Sequence, residues 1–184
     1  MACALRRAAE RIGSPAQEWS EHSDVDPEGF VDEGFVEDES GHAFWGSKGS
    51  GILFVRNHPD EGQQLLAVKR SPAVEEPSTW GTTGGAVPKG ESNEFASAIR
   101  ETREEIGSTP SYEPVTKYVW KAPGGTFTYT TFVLECTDMD WLPTVFNWEA
   151  DDAKWVSFDE AATLDLHFGL AALLGDLGPS IFRD

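Results

Sequence analysis

Between Gly84 and Gly107 the chain joins a glycine-rich stretch, a run of helix-forming residues loaded with acids, and a closing glycine. Glu101, Glu104 and Glu105 stand at i, i+3 and i+4, so at about 100° per residue they share one sector of a helix. Phe95, Ala98, Ile99, Thr102 and Ile106 form a second sector, apolar or small, that can pack on a core. Like charges at this spacing cost roughly a few tenths of a kcal/mol per pair unless a cation neutralises them. Oxygen ligands alone favour magnesium, with manganese as the alternative. A solvated helix accounts for the acids by themselves, because Arg100 and Glu104 make a favourable i, i+4 pair and Arg103 adds another cation. The glycines at a fixed distance upstream are what point to a site.

The segment Gly85 to Gly107 resembles the Nudix box. In that pattern a Gly is followed after five residues by Glu and after seven more by Arg-Glu, an aliphatic residue, any residue, Glu-Glu, any residue, Gly and an aliphatic residue. Gly85, Glu91, Arg100, Glu101, Glu104, Glu105 and Gly107 fill every glycine and polar position. Eight residues rather than seven separate Glu91 from Arg100, which places an extra residue near Ser92 and Asn93, both good N-cap types. Thr102 and Ser108 stand where the pattern has aliphatic residues.

The resemblance implies that Glu104 and Glu105 ligate magnesium, and that Glu101 is either a further ligand or the general base. It implies that Arg100 orients Glu101 by a charge-assisted hydrogen bond and that the Gly85 carbonyl joins the metal shell. Many members carry another metal-binding or catalytic acid shortly before a Trp-Val pair on a late strand. Here Glu149 precedes Trp155 and Val156, with Asp151 and Asp152 as rivals.

Composition limits the remaining possibilities. A chain of 184 residues holds one domain of ordinary size with residues to spare, and its seven Trp and eleven Phe suffice for a substantial core. The net charge of −18, with no Lys or Arg between Arg11 and Lys48, argues against duplex DNA or an anionic membrane surface as partner. A small nucleotide, whose charge a metal screens, stays compatible. Cys3 and Cys136 belong to no zinc or redox spacing, which leads to the expectation of a reducing cytoplasm. No apolar run reaches the length of a membrane span.

Residues 1–43 are read as an acidic, mobile or peripheral arm, 44–177 as the domain and 178–184 as a tail. Within the arm, Gly29-Phe30-Val31-Asp32-Glu33 nearly repeats as Gly34-Phe35-Val36-Glu37-Asp38. Phe30 and Phe35 are candidates to dock the arm on the domain. Asp24 to Asp32 resembles the start of a calcium loop, but Phe35 occupies the position of its bidentate Glu. Residues 51–55 and 65–70 read as a hairpin, 93–106 as the acidic helix, and 118–120 and 126–135 as strands joined at Pro123 to Gly125. A last strand over 155–158 leads into helical material through about Leu174. This order indicates α+β, and the resemblance sharpens it to a Nudix-like mixed β-sheet between helices.

The expected reaction is hydrolysis of a pyrophosphate bond in a nucleoside diphosphate linked to another group: a nucleotide sugar such as ADP-ribose, a dinucleotide or a nucleoside triphosphate. Arg70 is a candidate to hold a phosphate. Trp80, Trp120, Phe127 and Trp148 are candidates to stack on a base, each with core packing as the alternative. His167 reads as structural. Pro123, sixteen residues beyond Gly107, matches a mark associated with ADP-ribose hydrolysis in the family, or simply makes a turn. The full set Glu101, Glu104 and Glu105 favours an enzyme over a non-catalytic binding module. The lack of a Lys/Arg run argues against long RNA, although not against its 5' end. A homodimer is compatible with the sequence.

Overall fold

The computed structural model describes residues 19–23, 34–39, 41 and 43–182. In chain order its elements are β1 (Phe35–Glu37), β2 (Ala43–Trp45), β3 (Lys48–His58), β4 (Gly62–Arg70), β5 (Trp80–Gly81) and β6 (Thr83–Ala86). The acidic helix α1 (Glu94–Ile106) follows, then β7 (Tyr112–Lys121), β8 (Thr128–Cys136), β9 (Ala150–Ser157), α2 (Phe158–Ala161) and α3 (Phe168–Ile181).

The continuous apolar run Ile52 to Val55 becomes the centre of the larger sheet because both of its faces are covered. Neighbouring strands run in the order β5-β4-β3-β8-β7, with β6 also on β3 and β9 also on β4. β3 and β8 are parallel and the other pairs antiparallel, so the sheet is mixed. Alternation at period two divides its residues between two cores. Ile52, Phe54, Leu66, Val68, Phe132 and Leu134 meet Phe95, Ala98, Ile99 and Ile106 of α1. Leu53, Val55, Leu65, Ala67, Val133 and Val156 meet Leu170, Leu173, Leu174 and Ile181 of α3. Each fully buried side chain of this size contributes about 1.5–3 kcal/mol. The expected α+β architecture, a mixed sheet between helices, is therefore present.

Element boundaries differ from expectation where packing overrides local pattern. The hairpin pairs as far as His58 with Gly62, leaving a turn of only three residues. β9 starts at Ala150 rather than Trp155, because Ala150 and Ala153 are buried in the α1-side core. α3 continues past residue 177 to Ile181, whose side chain is fully buried. Pro123 to Gly125 form a short 3-10 turn between β7 and β8.

Part of the N-terminal segment lies on the domain. Trp19 packs its ring on Phe95 and Phe132 at centroid distances of 5.3 and 5.0 Å. Phe35 packs edge-on against Trp45 in the separate β1–β2 ribbon. Phe30 and the calcium-like stretch Asp24 to Asp32 lie outside the described residues. Among the described residues no helix is long and apolar enough to cross a membrane.

Candidate active site

The local sequence around α1 explains how its acids reach one place. Asn93 caps the helix, its side chain accepting from the Ala96 N–H at 3.3 Å, and Gly107 closes it with an N–H to the Arg103 carbonyl. Glu91 is buried beside this cap and accepts from the Asn93 N–H at 2.7 Å and from the Ser23 hydroxyl. The extra residue is thus absorbed at the loop-to-helix junction, where Glu91 fastens the start of the helix and the Trp19 segment. The apolar sector turns Glu101 and Glu105 towards β6, and the Thr83 and Thr102 hydroxyls join at 2.7 Å between strand and helix.

The two glycines of β6 admit the carboxylates. A Cβ on Gly85 would stand 2.8 Å from the Glu101 carboxyl carbon. Gly84 adopts φ of 145°, and a Cβ there would overlap the Ser50 carbonyl and the Tyr129 hydroxyl. Its N–H donates to Glu105 Oε1 at 2.8 Å. Glu101, Glu105, Glu149, Arg70, Gly84 and Gly85 all line one cleft of about 630 Å³.

Glu105 is buried, and burial together with the charges of Glu101 and Glu149 pushes its carboxyl up to about 8, against the opposing Gly84 N–H and Arg70. Glu101 is raised by burial and by Glu104 and Glu149, with Arg100 opposing. Arg100 donates to Glu101 at 2.5 Å and to both oxygens of Glu104 at 2.9 and 3.0 Å. These two acids raise the arginine's own pKa despite its burial. One shared cation secures its own charge without offsetting the burial of Glu101. Glu104 is 53% exposed and turned to Arg100, away from the cleft-lining set.

Glu149, rather than Asp151 or Asp152, reaches the cleft; the other two are exposed on β9. Arg70 lines the cleft with its guanidinium folded onto the Glu75 carbonyl at 2.9 and 2.6 Å. Phe127 also lines it, buried and stacked on Phe44 at 4.4 Å and 9°. Trp80 does not: it packs against the α3-side core, with Lys154 Nζ 4.4 Å above its ring. Trp120 and Trp148 line the cleft, the latter 68% exposed. His167 caps α3, its Nδ1 accepting from the Gly169 N–H at 3.2 Å, and it also lines the cleft.

Four contributors escaped the sequence. Phe44 and Trp45 enter the cleft from β2, in the stretch read as the start of the domain. Tyr129 places its hydroxyl over Gly51 and Gly84, and burial raises its pKa. Two glycines that face each other across β3 and β6 were the available signal for such an intruding ring. Asn147 hydrogen-bonds Glu149 and lies in a segment without regular structure.

Fold and site define a class: mixed-sheet α+β proteins that set a helix of acids against a glycine-bearing strand at one end of a cleft. The chain belongs to the Nudix family, whose NUDIX domain it matches over residues 47–175. It is 36% identical over 146 residues to a proposed 8-oxo-dGTP diphosphatase of Mycobacterium tuberculosis, covering 76% of this chain and 66% of that protein. The chain thus spans just under two thirds of that relative's length. The crystal structure of a Nudix hydrolase from M. smegmatis, RenU, superposes with a TM-score of 0.68 at 32% identity, over 79% of this chain and 92% of that one. An Ap4A hydrolase of C. elegans shares the fold with a TM-score of 0.56 at 18% identity, over 71% and 95% of the two chains.

Proposed function

We propose that the protein is a divalent-cation-dependent pyrophosphohydrolase of a small nucleotide. The observation that carries this reading is the buried Glu105 carboxylate, held by the Gly84 N–H in the same cleft that Glu101 and Glu149 line. Among the described residues no three acid, His or Cys side chains converge closely enough to cage an ion as they stand. The donor set nevertheless fits magnesium or manganese: every group is an oxygen, and the buried acids lack the charge such an ion brings. Glu101, Glu105, Glu149 and the Gly85 carbonyl would hold it, joined by Glu104 on release from Arg100.

The chemistry supplied by a bound cation is charge neutralisation on the phosphates and activation of water. Glu101, as ligand or general base, is held by Arg100 so that its carboxylate keeps one orientation. As base it takes the proton of the water that attacks one phosphorus, while the bond from that phosphorus to the bridging oxygen breaks and the other phosphate leaves. Arg70 stands where it can exchange the Glu75 carbonyl for a phosphate. Phe127, backed by Phe44, and the exposed Trp148 offer faces for a base. The relative's name supports a nucleoside triphosphate with an oxidised guanine as first candidate, ahead of the nucleotide sugar and dinucleotide classes.

The test is phosphate or pyrophosphate release from nucleoside triphosphates, oxidised guanine nucleotides, nucleotide sugars and dinucleotides with magnesium. A Glu104→Gln, Glu105→Gln double variant is run alongside. Turnover of one class, reduced roughly 1,000-fold or more in the variant, is expected. No turnover across the panel with tight nucleotide binding retained would instead identify a binding module.

A further inference from the structure

Asn147 lies in the irregular segment between β8 and β9, where neighbouring side chains fix its place. Phe146 packs on the α1-side core. Val145 lies against Gly107 at the end of α1. The Trp141 carbonyl accepts from the Trp155 indole N–H at 2.9 Å. Asn147 makes three hydrogen bonds from this position. Its backbone N–H donates to the Glu105 carbonyl at 2.9 Å, one of the carbonyls that the end of a helix leaves without an internal partner. Its side-chain oxygen accepts from the Glu149 N–H at 2.8 Å, and its side-chain NH₂ donates to Glu149 Oε2 at 3.0 Å. The amide orientation is chemically determined, since an N–H and a carboxylate demand opposite ends of it. The Glu149 carbonyl in turn accepts from the Ser71 N–H at 2.8 Å, next to Arg70. Residues 147–149 therefore stitch the end of the acidic helix to the end of β4.

Resting on the cation-dependent reading above, we propose that Asn147 is a positioning residue that aims the Glu149 carboxylate at the cation and locks it to the helix carrying Glu101 and Glu105. Glu149 sits in a turn directly before β9, and a free glutamate there has three side-chain torsions to settle. Bonds to both its backbone and its carboxylate leave it few. The neutral amide is the right chemistry: it donates to an anion without adding another negative charge. A lysine there would compete with the metal, and an aspartate would repel Glu149. No part of the box pattern contains this residue, because its role is defined by a loop that closes on the helix.

The test is a double-mutant cycle on direct Mn²⁺ binding to the full chain, followed by electron paramagnetic resonance, with Asn147→Ala and Glu149→Gln. The expected result is about a tenfold rise in the Mn²⁺ dissociation constant on Asn147→Ala in the otherwise unchanged protein, and less than twofold in the Glu149→Gln background. Asn147→Asp, which keeps the acceptor for the Glu149 N–H and hence the turn but sets a second anion against its carboxylate, is expected to weaken binding at least as much while still unfolding cooperatively in chelator. An equal loss in both backgrounds, or none in either, overturns the positioning role. A starting protein that binds no Mn²⁺ overturns the cation-dependent reading itself, and the inference with it.

Discussion

The two ends of the cleft are built in opposite ways. At the acid end Gly84, Gly85, Arg100, Glu101 and Glu105 come from one continuous segment, Arg100 gripping Glu101 and the Gly84 N–H holding Glu105, with Glu149 and Arg70 added from outside it. At the aromatic end the rings come from distant segments and form a chain of neighbours. His167 meets Phe168 at 4.5 Å, Phe168 meets Trp120 at 5.2 Å, and Trp120 meets Phe44 at 5.9 Å, with Phe127 at 4.4 Å beyond. Chemistry that must be met to within a fraction of an ångström is placed on a short stretch of backbone. Recognition that needs only a flat apolar face is spread over the fold, where many residues serve.

The sharpest way to break this contrast is Gly84→Ala. A methyl group there overlaps the Ser50 carbonyl and the Tyr129 hydroxyl, and an L residue is strained at φ of 145°. Strain and steric overlap together should cost about 3 kcal/mol. Displacement of the Glu105 carboxylate should lower kcat at least about 100-fold. Wild-type-like kcat in a folded variant would mean that the acid end tolerates displacement as freely as the aromatic end.

A second prediction concerns the burial of acids. Glu105 has a folded pKa of about 8 against 4.5 for the ordinary side chain. Between those values the folded state holds a proton that the unfolded state has released, so metal-free stability falls as pH rises through that window. Glu105→Gln removes this loss and should stabilise the metal-free protein more at pH 8 than at pH 5, by several degrees in melting temperature, while abolishing turnover. Thermal melts in chelator at pH 5 and pH 8 check the sign. A variant less stable than the starting protein at pH 8 would show that Glu105 is not carrying uncompensated charge.

Much of the acid end was legible because helical spacing and the glycine pattern are local. The buried sector Phe95, Ala98, Ile99, Thr102 and Ile106 follows from periodicity alone. Turning Glu104 outward was not legible, because it depends on which acid Arg100 grips. Nor was the position of Trp80, whose place is set by the pairing of β5 with β4 and by Lys154 above its ring. Phe44 and Trp45 joined the cleft through a two-stranded ribbon of three residues a side, too short to leave a pattern.

The aromatic end should respond in KM rather than kcat. Trp148 is 68% exposed, so Trp148→Ala removes a stacking face at little cost to the core. Loss of about 1–2 kcal/mol of stacking predicts roughly a tenfold higher KM with kcat within about twofold. A fall in kcat of the same size as the rise in KM would show that the ring acts in the transition state and that the two ends are not separable.

The smallest effect tests whether this chain's departures from the box pattern are neutral. Thr102 stands where the pattern has an aliphatic residue, so Thr102→Val restores the common type at nearly equal volume. Here, however, the Thr102 hydroxyl donates to the Ala98 carbonyl at 2.8 Å and so receives the Thr83 hydroxyl proton at 2.7 Å. Valine leaves Thr83 only the Ile52 carbonyl, 3.5 Å away, for a proton buried between helix and strand. The expected loss is about 1 kcal/mol by denaturant titration, with kcat changed less than about threefold because Glu101 and Glu105 keep their own contacts. A stabilised variant would show that the aliphatic type is better here as well and that the paired hydroxyls are incidental. A destabilised one ties the fastening of the acidic helix to the pairing of Thr83 with Thr102.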